Sequence, residues 1–117
     1  MAEIRVEGGQ VCIQLSLVER LGALHRDIRF PRSAVRTVRL VDKPFDEIAG
    51  IRLPGTRVPG LMALGTWRRR GGRDFVVVYR GERGVVVEVD ASQLNYQRII
   101  LSTKDPDGVH ALLAAVD

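Results

Sequence analysis

Arg57, Arg68, Arg69, Arg70 and Arg73 fall in one glycine-rich stretch, PGTRVPGLMALGTWRRRGGR. A guanidinium is a planar fork of donors that matches phosphate and carboxylate oxygens. These five residues are therefore the candidate anion-binding set. Trp67, beside the arginine run, could stack on a base or sit at a membrane interface. The alternative is a partly buried strand residue next to a solvated, arginine-rich hairpin tip. Gly55 to Gly60 has the outer spacing of a phosphate-binding loop, but Leu61 and Met62 follow where that loop needs Lys and Ser or Thr. No helix pattern follows to offer its amides. Pro54-Gly55 and Pro59-Gly60 are better read as paired tight turns.

The rest of the chain offers little reactive chemistry. His25 and His110 lie far apart, neither with a nucleophile pattern nearby. Asp105 and Asp107 suit capping of a C-terminal helix better than metal binding, and no zinc-ligand spacing of Cys and His occurs. Glu88 and Asp90 share a strand face as two solvent-facing carboxylates. Cys12 has no neighbour in sequence that would lower its pKa, so it reads as a packing residue. The expectation is a chain without catalysis, metal or cofactor.

At 117 residues with 45% apolar content, the chain reads as one domain, 1–117, able to bury a real core. The longest uncharged run, Gly8 to Val18, is eleven residues, short of the ~20 a spanning helix needs. The opening MAEIRVEGG carries acids and no apolar core, and a lone cysteine forms no internal disulfide. A cytoplasmic location is the expectation. The net charge of +4 is uneven: 13 basic and 5 acidic residues between Glu19 and Arg73, against 4 and 7 from Asp74 onward. A basic middle fits an anion-facing surface, a contact between copies, or plain solvated strand faces.

Pattern supplies the elements. AEIRVEGGQVCIQL alternates around Gly8-Gly9 and reads as a hairpin. Ser16 and Glu19 fit a capping box, and Leu17, Leu21 and Leu24 recur at helical spacing. A short helix follows, its apolar face expected to cover the sheet. Two strands, near Asp27–Phe30 and Val35–Val41, flank a break at FPRSA; the second must expose a face or bend, because it carries Arg36 and Arg39. Asp42 to Gly60 reads as a long ordered loop pinned by Phe45, Ile48, Ile51, Leu53 and Val58. LMALGTWRRR, RDFVVVYR and VVVEVD form a three-stranded meander, and YQRIILST adds a strand. Asp105 then caps a helix beginning at Pro106, whose stripe Val109, Leu112, Leu113 and Val116 must bury.

The stretches RDIRFPRSAVRTVRLV, GIRLPGTRVPGLMALGTWR, GRDFVVVYRGERGVVVEV and RIILSTKDPDGVHALL resemble bacterial pleckstrin-homology-like (PH-like) domains. They are similar to small stand-alone proteins of that type from high-GC bacteria, in keeping with 16 arginines to 2 lysines. The resemblance spans nearly the whole chain. It implies a mainly β (α+β) fold, a PH-like twisted β-barrel or sandwich of about seven strands. A short helix follows the first hairpin, and a C-terminal amphipathic helix plugs one open end. Eukaryotic members that hold phosphoinositides place basic residues around the first hairpin loop. Here that loop is EGGQ, without Lys or Arg. The resemblance therefore implies a non-catalytic interaction or assembly module, its partner another protein or itself as a homo-oligomer. Anionic lipid or nucleic acid at the basic hairpin tip is the alternative.

Overall fold

Gly8 and Gly9 take φ of 56° and 76°, the two positive values that a two-residue type I′ hairpin loop requires. They join β1 (Glu3–Glu7) to β2 (Gln10–Gln14), and the hairpin closes on Glu7 opposite Gln10. β3 (Ile28–Pro31) pairs with the other side of β2 to complete a three-stranded antiparallel sheet. Pro31 sits where a proline is tolerated, at the end of an edge strand. The break at FPRSA is a 3-10 turn, Arg32–Ala34, and across it the chain changes sheets. The computed structural model of the protein describes residues 1–114, the Pro54 side chain excepted. Val116, counted in the C-terminal stripe, lies outside them.

The second sheet has six strands: β4 (Val35–Val41), β5 (Ile51–Val58), β6 (Met62–Arg69), β7 (Gly72–Tyr79), β8 (Gly84–Val89) and β9 (Arg98–Ser102). Their order is β4-β8-β9-β7-β6-β5. The fold is thus mainly β, with nine strands rather than about seven among the described residues. It is not a closed barrel, because β4 and β5 are opposite edges and do not pair with each other. Nor is the 61–90 region a simple meander. β6 and β7 form a hairpin, but β9 inserts between β7 and β8, parallel to β7 and antiparallel to β8. The short GERG connection looks like a hairpin turn in sequence, yet four residues can also span the roughly 10 Å across one intervening strand.

The long loop expected over 42–60 is mostly ordered backbone. A 3-10 turn, Pro44–Glu47, is followed directly by β5. Pro54-Gly55 lies within β5, where the register against β6 shifts between Arg52 and Gly55, and is not a tight turn. Pro59-Gly60 is one: Leu61 N–H donates to the Val58 carbonyl at 2.9 Å, and Gly60 takes φ of 75°. That is the type II pattern, proline first and glycine second. β4 does bend, by a register shift at Arg36.

Both faces of the six-stranded sheet are covered. Val11, Ile13 and Phe30 of the small sheet pack with Phe75, Val77, Val85, Val87, Ile99 and Leu101 in the larger core. On the opposite face Trp67, Val76, Val78, Val86 and Ile100 form a second cluster, under Phe45 and Ile48 of the β4–β5 connection. Trp67 is 2% exposed, so it is a core residue with no free face for a base or a membrane. α3 (Pro106–Ala114) is capped as expected, Asp105 Oδ1 accepting from Gly108 N–H at 3.0 Å. Val109 and Leu113 enter the larger core, whereas Leu112 stays outside. The helix lies along β4 and β8 and plugs no barrel end. A short helix, α2 (Ala91–Leu94), bridges β8 to β9.

Candidate functional site

α1 (Leu17–Ala23) begins at the capping box its sequence implies: Ser16 Oγ accepts from Glu19 N–H at 3.2 Å, and Glu19 Oε1 from Ser16 N–H at 2.8 Å. Its rotation is the reverse of the expected one. Glu19 and Ala23 are buried, while Leu17, Val18, Leu21 and the helix-ending Leu24 are 66 to 71% exposed. At 100° per residue, Glu19, Gly22 and Ala23 make one face and Leu17, Leu21 and Leu24 the opposite one. The small face fits tightly on the sheet. A Cβ on Gly22 would come 2.8 Å from Leu64 Cδ1, and the Thr56 hydroxyl donates to the Gly22 carbonyl at 2.7 Å. Glu19 accounts for the rest, since Tyr79 donates its phenolic hydrogen to Glu19 Oε2 at 2.6 Å.

Leu24 adds an independent sign. It ends the helix at φ 52°, a left-handed conformation that costs a side-chain-bearing residue about 1–2 kcal/mol and that glycine usually fills. A leucine held there, 71% exposed, is strained without any burial to offset the strain. Such strain is common at functional surfaces. The outward leucine face was missed in the sequence. The signal for it was present in the adjacent small residues Gly22 and Ala23, which mark the side of a helix that can approach a sheet closely.

The five arginines do not form one group. Arg57 sits on β5 opposite Ala63, five residues along β6 from Arg68, about 17 Å away at ~3.4 Å per residue. Arg68 and Arg73 are direct cross-strand partners at the β6–β7 tip, so their side chains leave the same face. Arg70 lies in the turn. Arg69 points to the other face and is occupied there: its Nε donates to Asp74 Oδ2 at 2.8 Å and its Nη2 to Gln97 at 3.1 Å.

Asp74 is fully buried and was not singled out by sequence. Its Oδ2 also accepts from Arg98 Nη2 at 2.7 Å and Nε at 3.1 Å. Arg98 reaches on to the Glu47 carbonyl at 3.0 Å, and Arg39 meets the Glu47 carboxylate at 2.7 Å. This network fastens the β4–β5 connection over the second core. It is an internal clamp, with both arginines committed to it.

Several other polar groups are engaged within the fold. The His25 ring packs on Phe75 and Tyr96, with centroids 4.9 and 5.9 Å away, and its Nδ1 lies 2.7 Å from the Arg26 carbonyl. Burial, reinforced by the hydrogen bond to Glu19 and that residue's charge, raises the Tyr79 pKa above its ordinary value. Hydrogen bonds from Ser92, and then from Gln93, hold Asp90 below the usual carboxylate range. Cys12 is buried and free. Among the described residues no three of His, Cys, Asp or Glu are placed to hold one metal ion, and no helix is long and apolar enough to cross a membrane.

Compared with known proteins, the chain matches no family model, no curated protein and no solved structure.

Proposed function

We propose that this chain is a non-catalytic interaction module that associates with a second copy of itself through the outward face of α1. The observation that carries the reading is the exposure of Leu17, Val18, Leu21 and Leu24 on one short helix whose opposite side is fixed to the sheet. Scattered exposed leucines need no explanation, but a contiguous apolar face marks an interaction site.

Two features favour a second copy. An apolar face is complementary to itself, as a two-fold interface requires, whereas a charged one is not. The edges of the six-stranded sheet are guarded: β4 carries Arg36 and Arg39 with a bulge, and β5 carries Arg52 and Arg57 with another. Charges and bulges on edges prevent strand-to-strand pairing. Fully burying such side chains is worth about 1.5–3 kcal/mol each. Because these four side chains are about two-thirds exposed, two docked copies would gain on the order of 8–16 kcal/mol, against an association cost of about 4–15 kcal/mol. A micromolar or weaker dissociation constant is the expectation.

A PH-like scaffold acting as an assembly domain in the cytoplasm belongs to this proposal. The β-rich architecture, the helix after the first hairpin and the helix after the last strand support it. The parallel β7–β9 pair is a departure from it. The non-catalytic reading is supported by the engagement of the two buried carboxylates, Glu19 with Tyr79 and Asp74, through Oδ2 alone, with two arginines, while Asp74 Oδ1 has no hydrogen-bond partner among the described residues. Sedimentation equilibrium tests the proposal. Wild type should show concentration-dependent dimers and Leu21→Glu only monomers at unchanged thermal stability; a monomeric wild type at millimolar concentration would defeat it.

A further inference from the structure

The β6–β7 tip holds three arginines with no acid paired to them among the described residues. Arg68 and Arg73 are directly opposed, which puts their Cβ atoms about 4.5–5.5 Å apart, an arrangement that is destabilising for like charges. Neither they nor Arg70 make an ion pair among the described residues; the nearby carboxylate, Asp74, is buried and taken by Arg69 and Arg98. A hollow of about 820 Å³ at this tip is lined by Arg68, Arg69, Arg70 and Arg73 with Gly50, Gly71, Gly72 and Ile51. No acid lines it. The glycines let backbone into the site: Gly50 takes φ of 91°, and a Cβ there would overlap the Arg68 carbonyl.

We infer that this hollow binds a multiply charged phosphate group, clamped between the Arg68 and Arg73 guanidiniums with Arg70 closing from the turn. Two like charges on opposed strand positions without a counter-charge are relieved by an anion between them, and a phosphate offers oxygens to both forks at once. Arg69 is not a ligand; its bonds to Asp74 and Gln97 hold the tip rigid. Arg57, on the other face and at the far end of the strands, takes no part. The site is separate from α1 and stands whether or not the chain self-associates.

The test is titration of the full chain, followed by amide NMR shifts, with inorganic tripolyphosphate in one arm. In the other arm are phosphatidylcholine vesicles with one-fifth phosphatidic acid. Saturable shifts at residues 68–73 are expected in at least one arm, and the arm that responds names the source as soluble or membrane-borne. Arg68→Gln with Arg73→Gln should weaken binding by roughly tenfold per arginine, and Arg57→Gln should leave it unchanged. Rising salt should weaken it steeply. No saturable shift in either arm would overturn the inference, as would equal binding by the double variant or equal loss in Arg57→Gln.

Discussion

Tyr79 on β7 and Glu19 on α1, sixty residues apart in sequence, share a 2.6 Å hydrogen bond that turns the acidic side of the helix inward. The same contact sets the leucines outward. It also makes stability sensitive to alkali. The folded-state Tyr79 pKa is raised, chiefly by burial and then by Glu19. The unfolded chain therefore loses this proton first, near pH 10, while the folded chain keeps it. Stability from this group is complete below pH 10 and falls as pH rises from there toward the folded value. Denaturant unfolding across pH 8–11 should show a decline that Tyr79→Phe reduces. Parallel declines would contradict the assignment.

Leu24 should be worse than glycine for the monomer and better for assembly. Leu24→Gly relieves a left-handed leucine at the helix end, and stability should rise by up to about 1 kcal/mol after the entropy cost of glycine. Dimer formation should weaken in the same variant. A stability loss above about 1 kcal/mol would mean that Leu24 packs on its own chain.

The Asp74 clamp should contribute substantially to the stability of the second face. Asp74→Ala leaves Arg69 and Arg98 without their shared carboxylate and should cost about 3–5 kcal/mol in chemical denaturation. Arg57→Gln, on an exposed position, should stay within about 0.5 kcal/mol. A mild Asp74→Ala would show that water or Glu47 replaces the carboxylate.

Trp67 gives the matching test for the smaller core. Trp67→Ala empties the centre of the cluster with Val76, Val86 and Ile100 and should destabilise by about 3–5 kcal/mol. A near-neutral change would return Trp67 to the surface role its neighbours suggested.

What was legible in the sequence was local. The Gly8-Gly9 turn, the Ser16/Glu19 capping box, the FPRSA break and the Asp105-Pro106 helix start each depend on a few adjacent residues, and each is where it was expected. What was not legible depends on partners far along the chain. Strand β9 enters between β7 and β8 because all three are apolar on both faces and suit central positions, a choice the GERG turn does not encode. β5 was hidden by Pro54 and Gly55, which a bulged edge strand tolerates. In α1 the leucine periodicity was right and its direction wrong: the small Gly22 and Ala23 carried a local hint, but the contacts that fix the rotation come from Tyr79, Leu64 and Thr56, far along the chain. At the arginine tip the residue types were plain. Only the cross-strand register separated Arg68 and Arg73 from the committed Arg69 and the distant Arg57.

The most direct measurement of the α1 interface is oxidative cross-linking of Leu21→Cys in a Cys12→Ser background, followed on non-reducing gels from micromolar to millimolar protein. Leu112→Cys, exposed on α3, serves as the comparison. Rapid disulfide-linked dimers from position 21, and few from position 112, are the expected result. Equal rates at the two positions, or no linked dimer at position 21, would contradict assembly through this helix.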